Sequence, residues 1–203
     1  GAGLSSLAAS ALPHPALSQG SPVNLGPNRL VLLGTKGGPA IRAGYTPSPS
    51  AHLIVYNNVP YVIDTGYGVS FKLIDAKFPL GALRYVFITH HHSDHNAEFG
   101  LLMNNAWAIG LKTPVDAYGP KGMHELADGF WQAYRFDIET RMKDEGRPDL
   151  RKLVNVHEYS EGTVLATAGV KVTALRNLHP CCFNDVSCAV PAMPRAEFPY
   201  SKL

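Results

Sequence analysis

Leu83-Arg84-Tyr85-Val86-Phe87-Ile88-Thr89 runs directly into His90-His91-His92-Ser93-Asp94-His95. The first seven residues are largely apolar, β-branched and aromatic, which predicts a short buried strand. The next six are polar and hold four of the nine histidines in the chain. His90 and His92 stand two apart, so in an extended segment leaving a strand both imidazoles point to the same side. Asp94 and His95 follow at once in the turn. Such a segment offers two nitrogens to one metal ion, and a carboxylate with a third nitrogen to a second ion beside it. A rigid strand that ends in an accessible loop is also where sheet proteins place reactive groups. An expression tag would be terminal and uninterrupted, and a merely solvated cluster would not need a core-like strand in front of it.

Working upstream, residues 29–34 read as a short apolar strand ended by glycine, and residues 35–39 as a loop. Residues 52–57 and 60–64 are β-rich runs separated by Asn57-Asn58-Val59, which predicts a hairpin, and Asp64-Thr65-Gly66 closes its second strand. Residues 69–78 have helical spacing, with Phe71, Ile74 and Phe78 on one side. Downstream, residues 98–109 predict an apolar helix and residues 115–118 a strand. Residues 122–142 predict one long helix with Leu126, Phe130, Tyr134 and Ile138 at four-residue spacing. Residues 153–159, 163–166 and 170–175 are strands, turning at Glu161-Gly162 and Ala168-Gly169. Strands with interleaved helices predict a layered α/β architecture, and the hairpins predict mixed sheets.

Composition narrows the function. With 203 residues, 45% of them hydrophobic, the chain can bury one sizeable core. No apolar stretch approaches the roughly 20 residues of a membrane-spanning helix. Eighteen basic residues against sixteen acidic ones, a formal charge of +2, give no electrostatic case for non-specific nucleic-acid binding. A small-molecule substrate is therefore the first expectation, with a specific nucleic acid left open. Cys181, Cys182 and Cys188 form an odd, clustered set that matches neither a disulfide framework nor a paired zinc pattern. Residues 1–28 read as a flexible N-terminal tail and residues 29–203 as one domain. The small apolar run from Leu4, ending Ala9-Ser10-Ala11, fits the remains of a secretory signal. That reading implies a periplasmic or secreted protein, and a plain tail implies a cytoplasmic one. His124 and His157 are isolated and read as structural, and Lys36 reads as part of a plain turn.

His90-x-His92-x-Asp94-His95 resembles the H-x-H-x-D-H signature of the metallo-β-lactamase-fold hydrolases. Asp64-Thr65-Gly66 resembles that family's earlier Asp motif at the end of a strand. Residues 32–39 resemble the glycine loop of its branch containing tRNA 3′-processing endonucleases and arylsulfatase-like enzymes. His179-Pro180 is similar to the family's next metal histidine. The resemblance implies an αββα sandwich and a metal-activated water that attacks an ester, phosphodiester or related bond. It puts His90, His92 and His179 around a first metal and Asp94 and His95 on a second, with Asp94 the candidate catalytic carboxylate. Asp64 then steadies the ligand loop from behind. Zinc is the metal this donor set favours, with manganese or iron as alternatives. RNA 3′-end cleavage is the second activity that the resemblance implies.

The pattern then departs from the family. A bridging Asp is expected some twenty residues beyond the position of His179, with a last His later, but Asp185 follows too soon and no histidine lies beyond residue 179. Prolines 191, 194 and 199 interrupt what should be a strand. These features predict that the C-terminal half of the fold is missing, and they keep open a third reading, a catalytically impaired metal-binding remnant. Cys181 and Cys182 are conceivable substitute ligands.

Overall fold

The computed structural model describes residues 23–41, 47–167 and 169–176, and the backbone of 186–188. Strands β1 (Arg29–Gly34), β2 (Ala51–Tyr56), β3 (Val59–Ile63), β4 (Tyr85–Phe87), β5 (Val115–Pro120) and β6 (Val154–Tyr159) form one mixed sheet in that order. Strands β1 to β3 pair antiparallel, and β3 to β6 pair parallel. The β2–β3 turn has only Asn57 and Asn58, at φ 47° and 62°. A two-residue hairpin requires that left-handed backbone, and asparagine tolerates it.

Parallel strands need crossovers, which the helices supply. Helix α1 (Val69–Asp75) joins β3 to β4, while α2 (Ser93–Asn96) and α3 (Phe99–Ala108) join β4 to β5. Helices α4 (Met123–Ala133) and α5 (Arg135–Glu145) lead on to β6. Strands β3 to β6 therefore all finish at one end of the sheet, which is where open α/β sheets hold their ligands.

Each strand face has its own core. Leu53, Val55, Val62, Val86 and Ile88 pack against Leu73, Phe99, Leu102 and Trp107 in the helical layer. On the opposite face, Ile54, Tyr61 and Phe87 meet Val170 and Val172. These two valines belong to a second, antiparallel sheet of β7 (Gly162–Thr167), β8 (Val170–Arg176) and β9 (Val186–Cys188). Helices, mixed sheet and second sheet are three successive layers of the expected sandwich.

Local readings failed where tertiary packing overrode them. Phe71 is 79% exposed, whereas Val69, Ser70 and Leu73 are buried. The helix ends before Phe78, so the spacing that linked Phe71, Ile74 and Phe78 does not describe one helix face. The expected long helix breaks at Tyr134. That bend lets Ile138 enter the core and Asp137 accept from Asn104 Nδ2 of α3 at 3.2 Å. Leu25, inside the segment read as tail, is buried, and its N–H donates to Asn58 Oδ1 at 2.6 Å. The possible signal remnant and the three cysteine side chains lie outside the described residues.

One polar cluster on the inner face of the mixed sheet is testable by pH. Asp116 accepts from His157 Nε2 and Asn155 Nδ2, each at 3.1 Å, and pairs with Arg84 at 3.0 Å. Burial opposes ionisation of this carboxyl, but the donors and Arg84 outweigh it and hold the pKa below its ordinary 3.8. A pKa lowered by folding stabilises the fold above the unfolded value, and that contribution is lost as pH falls through the folded value. Asp116→Asn is expected to cost about 0.5–1 kcal/mol at pH 7, the low end for charged hydrogen bonds because the partners are solvent-exposed. The difference should shrink as pH falls below 3.8 in urea titrations; a difference that does not change between pH 7 and strong acid contradicts the assignment.

Candidate metal centre

The strand ends deliver Asp64 and Thr89 side by side. Asp64 follows β3 in the left-handed region at φ 62°, and its N–H donates to Phe87 O at 2.7 Å. The residue is only 2% exposed, and its carboxylate is enclosed by donors. Oδ1 accepts from Thr89 N at 2.8 Å and Thr89 Oγ1 at 2.9 Å. Oδ2 accepts from Ser50 Oγ at 3.0 Å and lies 2.7 Å from His95 Nδ1. A carboxylate accepts only, so in this contact His95 Nδ1 carries the proton. Nε2 of a neutral His95 is then an acceptor, and it lies 3.5 Å from Asp94 Oδ2. Thr89 Oγ1, having given its proton to Asp64, accepts from His90 Nδ1 at 3.0 Å. One buried carboxylate thereby sets the tautomer of His95 directly and of His90 through Thr89.

The histidine loop folds as its spacing predicts. His92 has extended backbone, and His90 Nε2 lies 3.1 Å from His92 Nδ1. The His90 ring centre is 4.7 Å from that of His92 and 4.0 Å from that of His95. His91 points elsewhere, to Lys121 O. Burial alone would lower the pKa of His95, but the hydrogen bond and charge of Asp64, with the charge of Asp94, raise it above the ordinary 6.5. His52, at the start of β2, is pushed the other way, chiefly by burial.

Backbone contacts lock the Asp64 turn to the loop. Thr65 N donates to His95 O at 2.7 Å, and Glu98 N donates to Thr65 O at 2.9 Å. The buried Glu98 carboxylate also accepts from Gly68 N and Ser70 N, satisfying the start of α1. Gly66 lies so close to the loop that a Cβ there would sit 2.4 Å from Asp94 O and 2.9 Å from Ser50 O. Both obstacles are backbone. Gly66→Ala is expected to cost about 1–3 kcal/mol through forced shifts and to push Asp94 from its position. A Tm within error of the parent would contradict this close approach.

His90 thus lies in contact with both His92 and His95, with Asp94 beside His95 and Asp64 behind it. His179, Cys181 and Cys182 lie outside the described residues. Among the described residues no group of three or more His, Cys, Asp or Glu side chains is arranged to hold a metal ion. One observation nevertheless fits a cation: Asp94 is 2% exposed, and its Oδ1 has no hydrogen-bond partner among the described residues. An unpaired buried carboxylate oxygen is costly unless a positive charge compensates it. Imidazole and carboxylate are donors that zinc accepts. Ser50, Thr89 and Glu98 were not expected at the site; each reaches it through contacts far apart in sequence, which no local pattern announces.

Parallel strand ends that present a His/Asp loop, with a second sheet packed across the same strands, define the layered fold of metal-dependent hydrolases. The profile of the metallo-beta-lactamase superfamily matches residues 45–183, and the chain belongs to that superfamily, whose members generally bind metal ions, usually zinc. Ribonuclease Z from Mycobacterium marinum is 30% identical over 115 residues, covering 55% of this chain and 41% of the relative. Ribonuclease BN from Cronobacter sakazakii is 34% identical over 121 residues, covering 59% of this chain and 36% of the relative. Ribonuclease Z from Mycobacterium sp. strain KMS is 33% identical over 150 residues, covering 70% and 50%. The chain spans half or less of the length of these curated relatives. Among solved structures, the short form of human tRNase Z superposes with a TM-score of 0.56 at 21% identity, covering 78% of this chain and 62% of that one. The metallo-beta-lactamase fold protein YhfI from Bacillus subtilis gives 0.54 at 21% identity, covering 80% and 56%. At these identities the superpositions establish the fold.

Proposed function

We propose that this chain carries the ligand loop of a zinc-dependent hydrolase that cleaves phosphodiester bonds in RNA. The observation behind this reading is the buried Oδ1 of Asp94, which has no hydrogen-bond partner among the described residues, on a residue 3.5 Å from His95 in the His90/His92/His95 cluster. His90 and His92, with His179, hold one ion in this reading; Asp94 and His95 hold a second. Imidazole-rich ligation favours zinc over manganese or iron. Zinc bound there supplies Lewis acidity, which makes water nucleophilic near neutral pH and stabilises charge developing on a phosphoryl centre. The protein's part is orientation: Asp64 keeps the Nδ1 proton on His95, and Thr89 keeps the one on His90, so that both Nε2 lone pairs point inward. Burial of Asp94 and His90 keeps bulk water from competing for those donors.

The choice of RNA is supported by relatives named as ribonucleases, since the fold alone hosts many reactions. With a formal charge of +2, affinity for RNA comes from contacts at the site rather than from general attraction. The test is metal content of the purified chain together with cleavage of an RNA bearing an extended 3′ end. Bound zinc, and cleavage that a chelator abolishes and zinc restores, are expected. Cleavage indifferent to chelation, or a chain that takes up no zinc, overturns the proposal.

A further inference from the structure

His91 stands between the two gathered histidines but belongs to neither of their contacts. Its Nε2 lies 3.0 Å from the Lys121 carbonyl, and its Nδ1 lies 3.4 Å from Asn96 Nδ2. A carbonyl only accepts, so Nε2 carries the proton; Nδ1 of the neutral ring then accepts from the Asn96 amide. Both ring nitrogens are committed, and the ring joins three pieces of chain: the histidine loop, α2 and the turn from β5 into α4.

That turn is built to receive it. Gly122 follows Lys121 at φ 101°, and a Cβ there would lie 3.1 Å from His91 Nε2, so the turn passes against the ring. From the other side Glu158, near the end of β6, accepts from Gly122 N at 2.8 Å and His124 N at 3.2 Å. The Lys121 carbonyl is therefore aimed by a second anchor that does not touch the histidine loop. His91 sits between His90 and His92 in the chain, and its ring contacts are separate from theirs, so holding its ring restrains the backbone that carries both.

We propose that His91 is a positioning residue: its bond to the Lys121 carbonyl sets the orientation of the His90/His92 pair toward the metal. This rests on the zinc reading above. The test uses the whole 203-residue chain as His91→Leu, His91→Gln and Glu158→Ala. Zinc affinity is read by competition with a chromophoric chelator, ligand geometry by the visible spectrum of the cobalt-substituted protein, and folding by the Tm of the metal-free chain. His91→Leu, which fills the volume without a donor, is expected to weaken zinc about 10- to 100-fold, the usual cost of losing a group that orients a ligand, and to alter the cobalt spectrum. His91→Gln, whose amide reaches the same carbonyl, is expected to restore most of the affinity. Glu158→Ala, on an exposed residue, should weaken zinc by a smaller factor. Parental affinity and spectrum in folded His91→Leu overturn the positioning role while leaving the zinc reading intact. Should His91→Leu not fold, unchanged affinity in Glu158→Ala overturns it. A parent chain that binds no zinc ends both readings together.

Discussion

Replacing Asp94 with asparagine is expected to weaken zinc binding by at least about a hundredfold while leaving the metal-free chain as stable as the parent or more so, because breaking a rule of burial for function costs stability. The geometry sets up this opposition. Asp94 is 2% exposed, and among the described residues its Oδ1 has no hydrogen-bond partner and its Oδ2 lies 3.5 Å from His95 Nε2. In the absence of a cation such a carboxylate is a liability, and an amide of the same shape removes its charge. Under the proposed zinc site, the same carboxylate would be the anionic donor of the cluster, and the amide a much poorer ligand. RNA cleavage should fall with the metal. Denaturant midpoints of both metal-free proteins and their zinc titrations check the two halves. A large loss of metal-free stability would show that Asp94 is instead a structural acceptor.

Asp64→Ala should behave in the opposite way. Asp64 is equally buried, but its two oxygens serve Ser50, both donors of Thr89, and His95. Leaving a buried donor without its acceptor typically costs about 1–3 kcal/mol, and Asp64→Ala leaves several donors dry and unpaired at once. Metal-free Asp64→Ala is therefore expected to lose at least that much in denaturant unfolding. Zinc affinity should fall too, since nothing would then hold the proton on His95 Nδ1. Asp64→Asn keeps the shape but presents an NH₂ where one oxygen accepts, and about 1–3 kcal/mol is the corresponding expectation. Metal-free Asp64→Ala within 1 kcal/mol of the parent, a difference that unfolding titrations resolve, would remove Asp64 from the centre of the site.

The contrast between these two carboxylates was only half legible in the sequence. Both lie in recognisable motifs, so their proximity to the metal loop was expected. That one is saturated with donors and the other left short of them depends on Ser50 and Thr89, residues 14 and 25 positions from Asp64. Local pattern carries no information about which distant hydroxyl will arrive. The bend at Tyr134 was hidden for the same reason: four-residue apolar spacing continued across it, and only the packing of Ile138 and the Asn104–Asp137 bond turned the chain aside.

Local chemistry in the sequence already determined a great deal. Short β-branched and aromatic runs marked strands, paired asparagines specified the β2–β3 turn, and two-residue spacing placed His90 and His92 on one side. All of these depend on the dihedral preferences and side-chain direction of a few adjacent residues. Tertiary structure alone decided which face of α1 is buried, that Leu25 enters the core, that His91 finds a carbonyl 30 positions away, and that Asp94 Oδ1 is buried without a hydrogen-bond partner among the described residues. Each of those outcomes is a choice among partners brought together from separate parts of the chain. Such choices are settled by how the layers close around buried groups, which no short stretch of residues contains.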